Sequence, residues 1–369
     1  RVYPGPLHPK VFSLLAAAWV VPSMVGPTIT GLLVDGPGWR WVFLGVPAAT
    51  APAAVLLWRG MRDGRASGGE AGHDAPAGSG TAMPEDEAGP GGGPEAAPGG
   101  AAPGGRAAPG GTEGVPEGSL GRRLRRAGAA AVGAALLQYG AGLLQEDGGR
   151  QGAAGALLFA AGLVVLAVAL PPLLPAGTLR AARGLPTVVA LRGLAAGAFF
   201  AAEVLVPLLL ARERGLPLWQ AGLALTGSAV AWSLGSWVQG RRPRDRRLIL
   251  RLGTALIALG SALVPLTLSP AVPVLVCFGA WAVSGFGMGM VYPTLSVLVL
   301  ELSPPHRQGV NSSALQIGES VFSVVAVAVT GALLAALGRT VTAYVVCFGV
   351  VVLIALSATA IAGRFEQAR

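Results

Sequence analysis

The sequence predicts an all-α polytopic membrane protein, a helical bundle of about ten transmembrane helices, and two observations support that class. Hydrophobic residues make up 53% of the 369-residue chain and charged residues only 12%, about half the charged fraction of a soluble domain. Apolar runs of about 20 residues recur along the chain, each long enough to cross about 30 Å of hydrocarbon. Because these runs lack the alternating polar positions of a membrane β-barrel, helices are the predicted elements.

Ten apolar segments are predicted to span the membrane. The third is short and rich in Gly and Ala, but such residues are tolerated because neighbouring helices re-satisfy freed backbone groups. The segments cover residues 11–34, 40–58, 127–145, 152–174, 186–211, 218–240, 248–268, 272–300, 311–337 and 341–363.

Residues 60–125 differ in composition from the helical segments. The stretch contains units such as Gly-Gly-Gly-Pro and Ala-Ala-Pro-Gly-Gly and has few large apolar side chains. Such a segment cannot bury enough surface to offset its ordering entropy, so we expect a disordered cytoplasmic linker. A partner-binding tail is the alternative interpretation. The linker divides the chain into two helices before it and eight after it.

The distribution of basic residues predicts how the chain is oriented in the membrane. With a cytoplasmic N-terminus and ten spans, 21 of the 27 Lys and Arg residues lie on the cytoplasmic side, five lie outside, and Arg192 lies within the membrane. This excess predicts that both ends of the chain are cytoplasmic. Topology thereby accounts for the net charge of +9, and no nucleic-acid partner is expected.

The first segment carries a motif of small residues and prolines. Gly26 and Gly31 permit close helix approach, and Pro27 bends the helix. With the loop that follows, the segment resembles the fifth helix of major facilitator superfamily antiporters, whose motif reads Gly, three residues, Gly-Pro, two residues, Gly-Gly. Pro22 replaces the first Gly of that motif and Thr30 the penultimate one. A simple packing kink is the alternative interpretation.

A dense basic loop follows the sixth segment. It resembles a degenerate copy of a cytoplasmic loop motif of the same superfamily, in which an Asp near the helix end precedes Arg/Lys-x-Gly-Arg-Arg. Val238 and Gln239 stand where the acidic partner is expected. The loop either sets topology alone or acts as a charged latch that stabilises one conformational state. Its candidate residues are Gly240, Arg241, Arg242, Arg244, Asp245 and Arg246.

The resemblance also implies how the helices are counted. If the first segment corresponds to the family's fifth helix, four helices are absent before Arg1, and the full count matches the fourteen-helix drug:proton antiporter branch. Residues 1–59 would then end the N-terminal half, 126–175 would form two extra central helices, and 176–369 the C-terminal six-helix bundle. Because the site of this family lies between two halves, we expect this N-terminally truncated chain alone to be inactive.

Ionisable residues inside apolar segments are functional candidates, because a charge is costly within a membrane. Glu203 lies near the middle of its segment, and Arg192 precedes it on nearly the same helix face, about 16 Å away along the axis. That distance is too long for direct pairing. Gln316 and Glu319 share a face of the ninth segment, where they could line a cytoplasmic vestibule. Glu203 is interpreted as a proton carrier, with a structural hydrogen bond as the alternative.

The eighth segment contains three closely spaced glycines, Gly285, Gly287 and Gly289, followed by Pro293. Glycines two apart thin a helix on more than one side, and the proline bends it. The segment is interpreted either as a gating element of a transporter whose halves rock against each other or as ordinary close packing.

The combined interpretation is a secondary active transporter that exports small hydrophobic or drug-like molecules by proton antiport. Its partners are a small-molecule substrate, protons and the lipid bilayer of the cell membrane. No cofactor, metal or enzymatic activity is expected, since Cys277 and Cys347 lie in apolar helices and the three histidines lie in separate loops. A membrane-embedded lipid-modifying enzyme and a non-transporting remnant are the alternatives.

The predicted topology can be tested with single cysteines at Ser79 and Ser119, introduced after replacement of both native cysteines. Both positions lie in the linker, which the flanking arginines place in the cytoplasm. A membrane-impermeant thiol reagent added to intact cells is expected to leave them unlabelled, while labelling after permeabilisation confirms that they are reactive. Labelling from outside would reverse the predicted orientation.

Overall fold

The computed structural model describes residues 117–144, 149–241, 245–338 and 340–366, together with scattered positions between 26 and 59. All regular structure in these ranges is helical, so the predicted all-α class is confirmed. The longer helices are α1 (Glu117–Leu143), α2 (Gly149–Ala169), α3 (Leu185–Glu213), α4 (Leu218–Arg241), α5 (Arg246–Leu263), α6 (Leu275–Glu301), α7 (Gln308–Ala336) and α8 (Val341–Ile361).

The helix bounds from α2 to α8 agree with the predicted segments to within a few residues, whereas α1 differs. We expected the linker to extend to residue 125, but α1 begins at Glu117. Residues 117–126 are rich in Leu and Arg, which are strong helix formers, and these outweigh Gly118 and Gly121. The first two predicted segments lie mostly outside the described residues, as do residues 60–116, so the predicted division into domains stays a prediction.

Six helical spans in the described part of the chain are long and apolar enough to cross a membrane. Helices α1 and α4 are not among them, because four arginines occupy the first half of α1 and polar or small residues lower the hydropathy of α4. The six are Gln151–Leu173, Leu185–Glu213, Arg246–Leu268, Leu275–Glu301, Pro305–Ala336 and Val341–Ile361.

Clustering of the backbone separates two compact units, residues 1–42 with 118–369 and residues 43–117. In the second unit, the described positions between 44 and 59 are helical. Thr50 there donates its hydroxyl to the carbonyl of Pro47, 3.2 Å away. The site considered below lies wholly within the first unit.

Helix α3 is the most buried element of the first unit and packs chiefly against α7 and α8. Glycines on its surface make the approach to α7 close. A Cβ at Gly193 would lie 2.7 Å from the ring of Phe322, and one at Gly197 would lie 3.1 Å from the carbonyl oxygen of Phe322. The backbone of α3 therefore lies directly against α7, which fixes the side chains that α3 directs towards its neighbours.

Helix α6 packs between α4 and α5 through its glycines. Gly285 and Gly289 lie against the α4 carbonyls of Ser228 and Trp232, while Gly287 lies against α5, where an added Cβ would come within 2.9 Å of Leu256 Cβ. Without a hydrophobic effect between helices in lipid, such close packing is the main source of helix association. The glycines of this segment therefore serve close packing, as one of the two interpretations expected. A gating role stays a prediction.

A proline interrupts the hydrogen bonding of α6 next to this contact. Pro293 lies inside the helix and has no N–H, so the carbonyl of Gly289 loses its intrahelical hydrogen bond. The Ser236 hydroxyl of α4 donates to that carbonyl at 3.0 Å. The freed carbonyl is therefore satisfied from the neighbouring helix.

Replacing Gly287 by Ala is expected to destabilise the protein, because its methyl group would collide with the α5 backbone around Gly253 and Ile257. Overpacking of this kind costs about 1–3 kcal/mol. Gly279→Ala is the matched control, since it lies in the same helix with no atom within 4 Å of the added Cβ. The measurement is the apparent melting temperature of the purified protein in detergent. Equal melting temperatures for the two variants would contradict the packing role of Gly287.

Candidate functional site

A buried ion pair joins α3 to α7. Arg192 Nε donates to Glu319 Oε2 at 2.8 Å, and the two side chains are 1% and 12% exposed. Two charges this far from water are stable only when they compensate each other and have further hydrogen bonds. Both were predicted as site residues, and the structure brings them together.

The remaining donors of Arg192 are directed to α6. Its Nη1 donates to the Tyr292 carbonyl at 2.8 Å and to the Ser296 hydroxyl at 3.3 Å. The guanidinium also lies 3.1 Å from the centroid of the Tyr292 ring, an arrangement in which the negative face of the ring attracts the cation. A single arginine thus connects α3, α6 and α7.

A group of aromatic side chains lies further along α3. Phe199 stacks on Trp281 of α6, with ring centroids 4.8 Å apart, and meets Trp232 of α4 edge-on at 5.3 Å. Trp232 also contacts the Tyr292 ring at 5.3 Å, so the aromatic group reaches the ion pair. We call Phe199, Phe200, Trp232, Trp281 and Tyr292 the aromatic cluster.

Glu203 lies one helical turn beyond Phe199 on α3. Within the described residues, no hydrogen bond or ion pair to its carboxylate is present, so the structural hydrogen bond considered above is not seen there. Pro207 lies one turn further along and has no N–H, which removes the intrahelical hydrogen bond to the Glu203 carbonyl. Glu203 is therefore a partly buried position at which both the side chain and the main chain have polar groups to satisfy.

Gln316 does not join this site. It shares a helix with Glu319, but its side chain is exposed and lines a separate gap between α1 and α7. The sequence predicted a common vestibule face for the two residues, whereas Glu319 turns towards α3. The difference arises because Glu319 has Arg192 as a partner and Gln316 has no charge to satisfy.

The helix motif of the first segment is only partly described. Pro22 and Pro27 lie outside the described residues. Gly26 is helical with no atom within 4 Å of an added Cβ, whereas a Cβ at Gly31 would lie 2.6 Å from the Trp219 Cα of α4. Gly31 is thus a close-packing position, as a helix-contact motif requires.

Among its described residues, the basic loop makes one ion pair across helices. Arg246, at the start of α5, forms a two-pronged contact with Glu301 at the end of α6, with Nη2 and Oε1 2.8 Å apart. Asp245 caps α5 by accepting from the Arg247 N–H at 2.9 Å. Arg241 stacks on Trp237 at 4.0 Å, and Gly240 faces open space. Arg242 and Arg244 lie outside the described residues.

Sequence reasoning missed the aromatic cluster and a clamp at the other end of α3. Arg214 donates to the carbonyls of Thr267, Ser269 and Val272, at 2.8–3.1 Å. Because these acceptors are main-chain groups, no side-chain pattern identifies them. The clamp fixes the end of α3 to the connection between α5 and α6.

These features together define a class of protein. Long apolar helices, buried charges within them and aromatic groups beside those charges are typical of multi-pass membrane transporters. The family model of the Major Facilitator Superfamily matches residues 1–327, and the chain belongs to that superfamily. It is accordingly a multi-pass membrane protein of a family of secondary transporters rather than of enzymes. No curated protein matches the chain in a sequence search.

The buried ion pair can be tested through stability. Arg192→Leu is expected to cost about 3–5 kcal/mol, because it leaves the Glu319 carboxylate without compensation in an apolar setting. Adding Glu319→Leu to the same protein is expected to recover most of the loss. The readout is the apparent melting temperature in detergent.

The exposed ion pair between Arg246 and Glu301 provides the control for this measurement. Arg246 and Glu301 are 43% and 46% exposed, and such pairs contribute about 0–1 kcal/mol. Arg246→Leu should therefore have little effect. A loss for Arg192→Leu no larger than for Arg246→Leu would contradict the assignment.

Proposed function

We propose that the protein exports small hydrophobic or drug-like molecules in exchange for protons, as a member of the drug:proton antiporter branch of its superfamily. The observation that carries the proposal is the contrast between two carboxylates. Glu319 is compensated by Arg192, whereas Glu203 has no hydrogen-bonding or ionic partner within the described residues. A partly buried carboxylate without a fixed partner is costly as an anion, so protonation is its natural response to burial.

The position of Glu203 on α3 supports a role in coupling protonation to transport. It lies on nearly the same face of α3 as Arg192 and Phe199, which contact α6 and α4. A change in the charge of Glu203 therefore acts on the helices that carry the aromatic cluster. Protonation can bias a conformational equilibrium only if the two states differ in how well they hold the charge. A site beside helices that move during alternating access would meet that condition.

The aromatic cluster is the proposed contact surface for substrate. Phe200, Trp232 and Tyr292 are only partly buried. Binding pockets for small molecules are mostly apolar and aromatic with few polar groups. This surface suits a hydrophobic molecule, and the reaction involves no covalent chemistry. Binding energy and the proton gradient together drive alternating access.

The Arg192–Glu319 pair is proposed to hold α3, α6 and α7 in register rather than to carry the proton. Its charges already satisfy each other, and Arg192 has two further acceptors on α6. Glu319 would have to give up this partner before it could exchange a proton. Glu203 has no such bond to break.

We also propose a plasma-membrane location with both ends of the chain cytoplasmic. The excess of arginines on one side supports the orientation. The Gly31–Trp219 contact agrees with the predicted alternation of the segments, because both residues lie near segment ends predicted on the same side of the membrane. A non-transporting remnant is the alternative function, and measured transport distinguishes the two.

Glu203→Gln is expected to abolish transport driven by a proton gradient. Gln keeps the size and hydrogen-bonding capacity of Glu but does not titrate. Substrate binding and exchange should persist, since the aromatic cluster is unchanged. The measurement is substrate flux in proteoliposomes with and without an imposed pH gradient.

Glu213→Gln is the matched control, because it makes the same change at the end of the same helix, and it should pump like the unmodified protein. Gradient-driven pumping by Glu203→Gln at the parental rate would show that Glu203 is structural, and Glu319 would become the next candidate.

A further inference from the structure

A continuous groove runs between α1 and α7. It consists of an inner cavity of about 300 Å³ and an outer cavity of about 760 Å³ at the α7 N-terminus, which share Ala127, Leu173 and Ile317 in their walls. We call the two together the α1–α7 groove. None of the candidate transport residues except Gln316 lines it, so it is distinct from the site described above.

The inner part of the groove is apolar because α1 lines it with alanine side chains. Ala127, Ala131 and Ala134 recur at helical spacing and line the cavity together with Ala130. Methyl side chains are too short to fill the space up to Val321 and Val324 on α7. The result is a slot rather than a closed helix contact.

The outer part of the groove carries positive charge. Arg307 lines it with an exposed side chain, and within the described residues no hydrogen bond or ion pair to its guanidinium is present. Leu124 and Ala127 of α1 line the same cavity, whereas the exposed Arg125 and Arg126 between them lie on the other side of α1 at helical spacing. No carboxylate lines either cavity among the described residues.

The neighbouring polar groups are already in use. Asn311 is buried and donates to the Ser303 hydroxyl at 2.8 Å, and Ser313 donates to the Gly309 carbonyl at 2.9 Å. Gln308 donates to the Leu300 carbonyl at 3.1 Å. Among the described residues that line the outer cavity, the guanidinium of Arg307 is thus the donor left for a ligand, and its planar fork suits a phosphate group.

We propose that the α1–α7 groove binds an anionic phospholipid, with its phosphate at Arg307 and one acyl chain between α1 and α7. The length of the slot agrees, because Val310 to Val324 spans about 21 Å along α7, enough for a chain that crosses the roughly 15 Å of one leaflet. A free phosphate would leave the apolar slot unfilled. A zwitterionic lipid would gain less from Arg307, since basic residues at membrane surfaces favour anionic headgroups.

Native mass spectrometry of the purified chain in detergent tests the proposal, with phosphatidylglycerol and phosphatidylcholine as probes. Phosphatidylglycerol is expected to bind more tightly. Arg307→Gln should weaken its binding about fivefold, the effect of one basic residue at a membrane surface. Ala131→Leu, which fills the slot, should weaken the binding of both lipids. Size-exclusion profiles establish that each variant is folded, and Arg307 is exposed, so its replacement leaves the packing intact.

Arg212→Gln is the control, because Arg212 is an exposed arginine at the end of α3 that lies away from the groove. This variant should bind phosphatidylglycerol like the unmodified chain. Equal binding of the two lipids would overturn the proposal. So would an equal effect of Arg307→Gln and Arg212→Gln. Displacement of bound lipid by millimolar inorganic phosphate would also overturn it, because it would identify a site for small anions instead.

Discussion

The ion pair between Arg192 and Glu319 is the interaction on which the C-terminal bundle depends. It joins α3 to α7, and the same guanidinium reaches α6 through Tyr292 and Ser296. In an apolar setting such a pair is worth little compared with a well-packed hydrophobic core, but breaking one half of it is costly. The pair therefore specifies one arrangement of three helices more than it adds to total stability. The aromatic cluster takes its position from that arrangement.

The Arg192–Glu319 pair also sets Glu319 apart from the second carboxylate, Glu203. Arg192 lies about 16 Å from Glu203 along α3 and is bonded to Glu319, so it does not stabilise an ionised Glu203. One helix thus presents two polar positions with opposite requirements, since one needs a permanent charge and the other tolerates a neutral group. Their separation along α3 keeps these requirements independent.

Much of the fold could be predicted from the sequence, because long apolar runs determine both the class and the helix bounds. The start of α1 could not, since Gly118 and Gly121 continue the composition of the preceding stretch while the local Leu and Arg residues favour a helix. Arg192 and Glu319 were each predicted as candidates. Their pairing was not, because it spans 127 positions and depends on how α3 packs against α7. Tyr292 was missed because the neighbouring glycines and Pro293 dominated the pattern.

The glycines of α6 affect how strongly helix packing depends on the lipid or detergent around the protein. Their contacts with α4 and α5 bring backbone against backbone, where dispersion and Cα–H···O contacts provide the attraction. These forces do not depend on water being excluded, so they are nearly the same in a thin bilayer, a thick bilayer or a micelle. The packing of α4, α5 and α6 against one another should therefore depend little on the surrounding lipid or detergent. Sensitivity to the surrounding lipid then belongs to the parts joined by looser contacts, above all α1 and its open groove.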